Sequence, residues 1–187
     1  MRLSTLVPVV LSPRFTFWRS FPTNLLTQTT DLTHANWLKQ FVTVDASAAS
    51  SPLGDTSFLV YPVSNGSNRC VYQLITTTAR PYTTIGYTKL SGKSWIMVNA
   101  MVGSGGIGVW FDTTNGAVGT QSAGYTGRIV RDPSGSGWCR WMVSHPTAAA
   151  GSSVYQVNVV DANNSVAVTA NGTDGVLMWR PQAFPTA

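Results

Sequence analysis

The sequence predicts an all-β sandwich of two antiparallel sheets, and three observations carry that prediction. Only 10% of the 187 residues are charged, against about 25% in an ordinary soluble domain. Glu is absent, so the seven acids are all Asp, while Thr and Ser supply 42 residues and Gly 17. Helix surfaces are normally filled by Glu, Lys and Leu, whereas Thr, aromatic and turn-forming residues suit strands and hairpins. Short apolar runs recur roughly every ten to fifteen residues, as a sandwich or barrel requires. Within those runs apolar and mixed positions alternate, which gives each strand a core face and a second face.

The length fits one domain, or one domain with a terminal extension. An apolar content of 43% with 11% aromatics is enough for a core and excludes a disordered chain. No apolar run approaches the roughly 18 residues of a membrane-spanning helix. Residues 1–23 read as an extended N-terminal arm, with Leu6, Val9, Leu11, Phe15, Phe17, Trp18 and Phe21 as its apolar content and Pro8, Pro13 and Pro22 opposing a helix. The stretch at residues 1–11 has the look of a weak secretion signal. Pro8 interrupts it and no small-residue cleavage site follows, so an arm that packs on its own domain or on a sister subunit is expected. Residues 24–187 form the globular domain. Residues 31–39 could make one short helix capped by Asp31. Strands are expected at 41–45, 56–61, 70–77, 82–90, 95–102, 108–111, 117–120, 127–131, 138–144, 154–160 and 176–179. Asn65-Gly66, Asn115-Gly116, Asp132-Pro133 and Asn171-Gly172 mark turns, because Asn and Gly tolerate positive φ and Pro fixes it.

The residue inventory argues against an enzyme. The Asp residues fall at expected turns and strand ends, where capping is their ordinary role. His34 and His145 belong to no nucleophile motif, and no G-x-S-x-G elbow is present. The run Gly103-Ser104-Gly105-Gly106-Ile107-Gly108 lacks the P-loop Lys and reads as a hairpin tip. Asp161, Asn163, Asn164 and Asp174 offer oxygens of the kind Ca²⁺ takes, but turn chemistry explains them first. No metal and no cofactor is expected. Cys70 and Cys139 match no metal spacing; two buried apolar side chains or a disulfide are both open. The net charge of +5 comes from few acids, and its nine Arg are scattered, so nucleic acid is not the expected partner.

Seven Trp remain, at 18, 37, 95, 110, 138, 141 and 179. Sugar-binding sheets use flat rings as stacking platforms, with amides and Arg for the hydroxyls. By alternation Trp95, Trp110 and Trp138 point away from the core set, with Asn99, Arg140, Gln156 and Asn158 as polar company. These seven residues form the candidate glycan face; rings that fill a sheet face or a subunit interface are the other reading.

Several segments also resemble a domain of tailed-phage virion proteins. Asn24-Leu25-Leu26-Thr27-Gln28 followed by Ala35-Asn36-Trp37 is similar to its opening "NLL-x-Q … A-x-W". Tyr82 through Gly92-Lys93-Ser94-Trp95 resembles its "YT-x-S-x-Y-x-K-x-G-x-x-x-W" strand pair. Phe111-Asp112-Thr113-Thr114-Asn115-Gly116-Ala117-Val118-Gly119 is similar to "FD-x-x-NG-x-VG". Gly137-Trp138-Cys139-Arg140 matches "GWYR" except at Cys139, and Asp174-Gly175 through Trp179 and Gln182 resembles the closing "DG-x-x-G-x-x-x-W-x-x-Q". Ala183-Phe184 stand where the family has an acidic residue, so no metal site is carried over. The family resembles carbohydrate-binding-module jelly rolls of the tail-fibre or head-decoration type. The resemblance therefore implies a jelly-roll β-sandwich in a non-enzymatic virion structural protein: a capsid decoration, head fibre or small tail-associated protein. Its implied partners are other virion proteins, sister copies in a trimer and a host-surface glycan; its implied place is the virion, assembled in the host cytoplasm, with no membrane partner. A single domain with a short arm, without the shaft of a tail fibre, is the expected organisation. The alternative is a free-standing carbohydrate-binding module that assists a glycan-degrading enzyme.

Overall fold

The computed structural model describes residues 23–100, 108–145 and 150–186, and among them none is helical. The described residues form fourteen strands. They are β1 (Leu38–Gln40), β2 (Val42–Ser50), β3 (Thr56–Pro62), β4 (Gly66–Ser67), β5 (Cys70–Thr77), β6 (Tyr82–Ser91) and β7 (Trp95–Ala100). The second half adds β8 (Val109–Asp112), β9 (Ala117–Gln121), β10 (Thr126–Arg131), β11 (Trp138–His145), β12 (Gly151–Val160), β13 (Ala167–Val168) and β14 (Gly175–Pro185). Sheet A has the order β1-β5-β12-β7-β8-β9 and sheet B the order β10-β11-β6-β14-β3-β2; β4 and β13 make a separate short ribbon.

The pairs β3–β14, β5–β12, β6–β11 and β7–β8 are nested in sequence, outermost to innermost. That is one long antiparallel hairpin rolled up. It places β5-β12-β7-β8 in one sheet and β11-β6-β14-β3 in the other, the double Greek-key order of a jelly roll. The sandwich expected from composition and alternation is therefore the fold observed. The motif at Tyr82–Trp95 does not form a strand pair: β6 lies in sheet B and β7 in sheet A. Gly92, at φ +90°, turns the chain between them, and Lys93 N–H donates to Gly175 O at 2.9 Å.

Alternation assigns the faces correctly. Ile96 and Val98 on β7, Trp141 and Val143 on β11, and Tyr155, Val157 and Val159 on β12 are all buried between the sheets. Phe111 and Trp141 stack across the gap at 6.1 Å, Trp141 and Tyr155 at 6.5 Å, and Trp37 meets Tyr155 edge-on at 5.9 Å. This aromatic column fills the middle of the sandwich. It fits because Gly86 faces Trp141 within sheet B; a Cβ there would stand 2.4 Å from Trp141 Cζ2.

The segment expected as a short helix, residues 31–39, forms turns that lead into β1. Asp31 does cap, accepting from Thr33 N–H at 2.8 Å and Thr33 Oγ at 2.6 Å. Leu32 and Trp37 are drawn into the core, and that burial outweighs a solvent-facing helical turn. The strand expected from residue 41 begins at Val42. Phe41 instead takes φ 53°, which lets the chain leave sheet A and enter sheet B. Asn24 ties the ends of the domain together: its Oδ1 accepts from Ala183 N–H at 2.9 Å, and Leu25 N–H donates to Ala183 O at 2.8 Å. The two cysteines are free and buried, on β5 and β11 in different sheets. Burial pushes the Cys70 thiol up to about 11, so it stays protonated. Residues 1–22 of the expected arm and all but Gly108 of the Gly-rich run lie outside the described residues.

Two outcomes follow. Gly86→Ala should destabilise the fold by about 1–3 kcal/mol, since Trp141 has no room to yield; an unchanged urea midpoint would contradict the column. His145 is buried with its ring 4.7 Å from Tyr125, and that burial holds the imidazole below the ordinary histidine value. Tyr125, pushed up to about 12, stays neutral beside it. The unfolded chain takes up a proton near pH 6.5 and the folded chain only at lower pH. Stability should therefore decline as pH falls below about 6.5, and His145→Gln should remove that decline in urea unfolding.

Candidate functional site

The seven candidate residues do not form one face. Trp95, Asn99, Trp110, Gln156 and Asn158 lie on the outer side of sheet A, whereas Trp138 and Arg140 lie on the outer side of sheet B. The sandwich core separates the two groups.

In the sheet A group, Trp110 is closed by its own chain. Trp110 is 2% exposed, packs with Met97, Val160, Trp95 and Val166, and donates from Nε1 to Ser165 O at 2.6 Å. The connection between β12 and β13 thus lies over the ring. Its carboxylate and amide are used to hold it there. Asp161 Oδ1 pairs with Lys93 Nζ at 2.7 Å, its Oδ2 accepts from Thr169 N–H at 2.7 Å, and Asn163 Oδ1 accepts from Thr120 N–H at 2.6 Å. The oxygens of Asp161 and Asn163 thus serve the turn. Asn99 and Asn158 are both buried; Asn158 Oδ1 accepts from Gln156 Nε2 at 2.9 Å and its Nδ2 donates to Met97 O at 3.4 Å. Trp110 therefore offers no ring face, while Trp95 and Gln156 stay half-buried.

Sheet B carries an open groove of about 710 Å³. Register places Arg140 beside Tyr87 and Tyr87 beside Trp179, in one row across β11, β6 and β14. Trp138, Leu177 and Trp179 form an apolar floor with Tyr87 packed on it, and the Tyr87 and Trp179 rings are 4.9 Å apart at 58°. Trp138 donates from Nε1 to Ser50 O at 3.0 Å, which fixes the end of β2 against the floor. One wall is the β2–β3 turn with Pro52 and Leu53; the other is Val130 through Ser134 at the β10–β11 turn. Leu53 is 70% and Val130 56% exposed, so the rim is apolar and accessible.

The charged side chains of this groove are three arginines and one aspartate. Arg180 sits with its guanidinium 4.8 Å from the Trp179 ring centre and Nη2 3.2 Å from Asp55 Oδ2. Burial pushes the Tyr87 phenol up, and the Arg140 and Arg180 guanidinium groups offset this only in part. Asp132 is the one acid of the lining. Its carboxylate is occupied by Ser136 Oγ and by the amide and hydroxyl of Ser134, and those bonds hold its pKa low. A carboxylate held this way caps a turn and offers no proton. Among the described residues no three His, Cys, Asp or Glu side chains gather as a metal site.

Tyr87, Trp179 and Arg180 were not selected from the sequence. Tyr87 and Trp179 alternate outward with the pattern of their strands, a signal that was present. Arg180 follows Trp179 directly, and neighbours in a regular strand point to opposite faces. It reaches the groove because the register shifts between Trp179 and Gln182 and Arg180 takes φ 43°. No sequence pattern announces that bulge.

No protein-family model matches the chain, and no curated protein matches it. Among solved structures, the enzymatically active domain of tailspike protein 4 from bacteriophage CBA120 superposes on 87% of this chain, with 12% identity and a TM-score of 0.46. The matched part is 21% of that chain. A likeness at this level carries no functional conclusion.

The two faces make opposite predictions. Trp110→Ala should cost about 3 kcal/mol or more of stability, as expected for an emptied aromatic site, and leave the sheet B groove intact. A Trp110→Ala protein that unfolds at the wild-type urea concentration would contradict the closed reading of sheet A.

Proposed function

We propose that the chain is a non-enzymatic adhesion module of a bacteriophage virion, displayed as a capsid decoration, head fibre or small tail-associated protein, and that it holds host-surface glycans in the sheet B groove. The observation that carries the binding half is that groove: the half-buried Tyr87 ring, backed by the buried Trp179, between apolar rims, with guanidinium groups at its edge. Apolar ring faces and side-chain hydrogen-bond donors are what a saccharide needs from a protein surface. The non-enzymatic half is supported by how the acids are used. Asp31, Asp112, Asp132 and Asp161 cap turns, and Asp45 accepts from the Tyr61 hydroxyl at 2.9 Å. The virion half is supported by the sequence resemblance described above, whose motif residues include Asn24, Trp37 and Asn115 in structural roles. Weak single-site binding becomes useful on a particle through many copies, by avidity.

A free-standing carbohydrate-binding module is the second reading, and the same groove would serve it. The apolar arm separates the two, since only an assembling component needs it. Light scattering of the full chain beside the chain lacking residues 1–21 should show an oligomer, a trimer by family expectation, that falls to a monomer. Monomers in both samples would favour the free-standing module. For the groove itself, Tyr87→Leu should weaken retention on a binding polysaccharide roughly tenfold while the fold persists. Undiminished retention would count against the site.

A further inference from the structure

We infer that the sheet B groove selects carboxylate-bearing saccharides over neutral ones, with Arg180 and Arg140 receiving the carboxylate beside Tyr87. The inference rests on the proposed glycan adhesion and specifies its ligand class. It starts from charge. The lining holds Arg131, Arg140 and Arg180 against one acid, Asp132, whose oxygens are already taken by Ser134 and Ser136, while Asp55 at the edge pairs with Arg180. A guanidinium presents two parallel donors that match a carboxylate, and such charge-assisted bonds are about twice as strong as neutral ones.

The backbone at Arg180 is the second observation. A non-glycine residue at positive φ is uncommon, and a residue before proline is steered towards extended backbone. Arg180 precedes Pro181 and still takes φ 43°, at a bulge in a strand that is otherwise regular. Such strain persists where the surrounding structure enforces it, and it gathers at ligand sites. Here its consequence is specific: Trp179 and Arg180 both line the groove, a ring and a cation side by side. The Asp55 carboxylate that meets Arg180 is half exposed, on a turn at the groove's edge. An ion pair this exposed to water is weak, which leaves Arg180 open to competition from a ligand carboxylate.

A saccharide suits the site better than an acidic peptide. Peptides that join β-proteins pair along an exposed strand edge through main-chain hydrogen bonds. This groove lies on a sheet face between two turns, where its polar groups are side chains.

The test uses affinity electrophoresis of the full chain through gels holding polygalacturonate, alginate or hyaluronan, beside fully methyl-esterified polygalacturonate and poly-aspartate. Because the chain is basic, Arg128→Gln serves as a charge control: Arg128 is exposed on β10 and outside the groove lining. Arg180→Gly keeps the backbone, since glycine accepts positive φ. Retention by at least one acidic polysaccharide, about tenfold stronger than by the ester, is expected. It should be lost in Arg180→Gly and Arg140→Gln and kept in Arg128→Gln. Equal retention by acid and ester, reduced by Tyr87→Leu, would overturn the carboxylate selectivity and leave glycan adhesion standing. Equal Arg180-dependent retention by poly-aspartate would overturn the saccharide assignment. Retention that no groove variant changes, or none with any polymer, would overturn both this inference and the adhesion reading.

Discussion

Trp141 is the contact on which the rest of the sandwich depends. Its ring crosses the gap between the sheets, stacked between Phe111 and Tyr155 of sheet A, over the space that Gly86 leaves in sheet B. Once that column fixes the sheet separation and the register of β11 on β6, the outer faces are fixed as well. Trp138 and Arg140 must point outward because Cys139 and Trp141 point inward. Tyr87 must lie beside Arg140 because Gly86 lies beside Trp141. The groove is thus the reverse side of the core.

The two outer faces are finished differently, and that difference decides where a ligand can go. On sheet A the β12–β13 connection lies over Trp110, anchored by Lys93–Asp161 and by Asn163 on Thr120. On sheet B the β2–β3 and β10–β11 turns rise on either side of the row and leave the half-buried Tyr87 reachable, above the buried Trp138 and Trp179. An aromatic-rich outer face is therefore not in itself a binding face. What separates the faces is the open groove over Tyr87, since Trp110 and Trp138 alike are buried and have given their hydrogen bonds to backbone, at Ser165 and Ser50.

Strand positions and inward faces were legible because period-two alternation is local: Ile96, Val98, Tyr155 and Val157 declare themselves within a few residues. Each of the expected strands corresponds to an observed one. What was not legible is non-local. Trp95 and Trp138 look alike in sequence, yet strand order places them on opposite sides of the molecule. The departures at Phe41 and Arg180 arise where non-glycine residues take positive φ, which nothing in their neighbours signals. The extension of β14 past Trp179 to Pro185 was hidden by Pro181, which ordinarily ends a strand within a sheet. The short helix expected from Asp31 lost to the burial of Leu32 and Trp37, a tertiary term no local reading contains.

The central claim is that ligand meets this protein on sheet B and not on sheet A. The indole N–H resonances report this directly, since the Trp residues divide between the faces. In a titration of the full, isotope-labelled chain with galacturonate oligosaccharides, the indole signals of Trp138 and Trp179 should shift along a saturable curve. Those of Trp95 and Trp110 should hold still. Saturable shifts at Trp95 and Trp110, with Trp138 and Trp179 unmoved, would contradict the account.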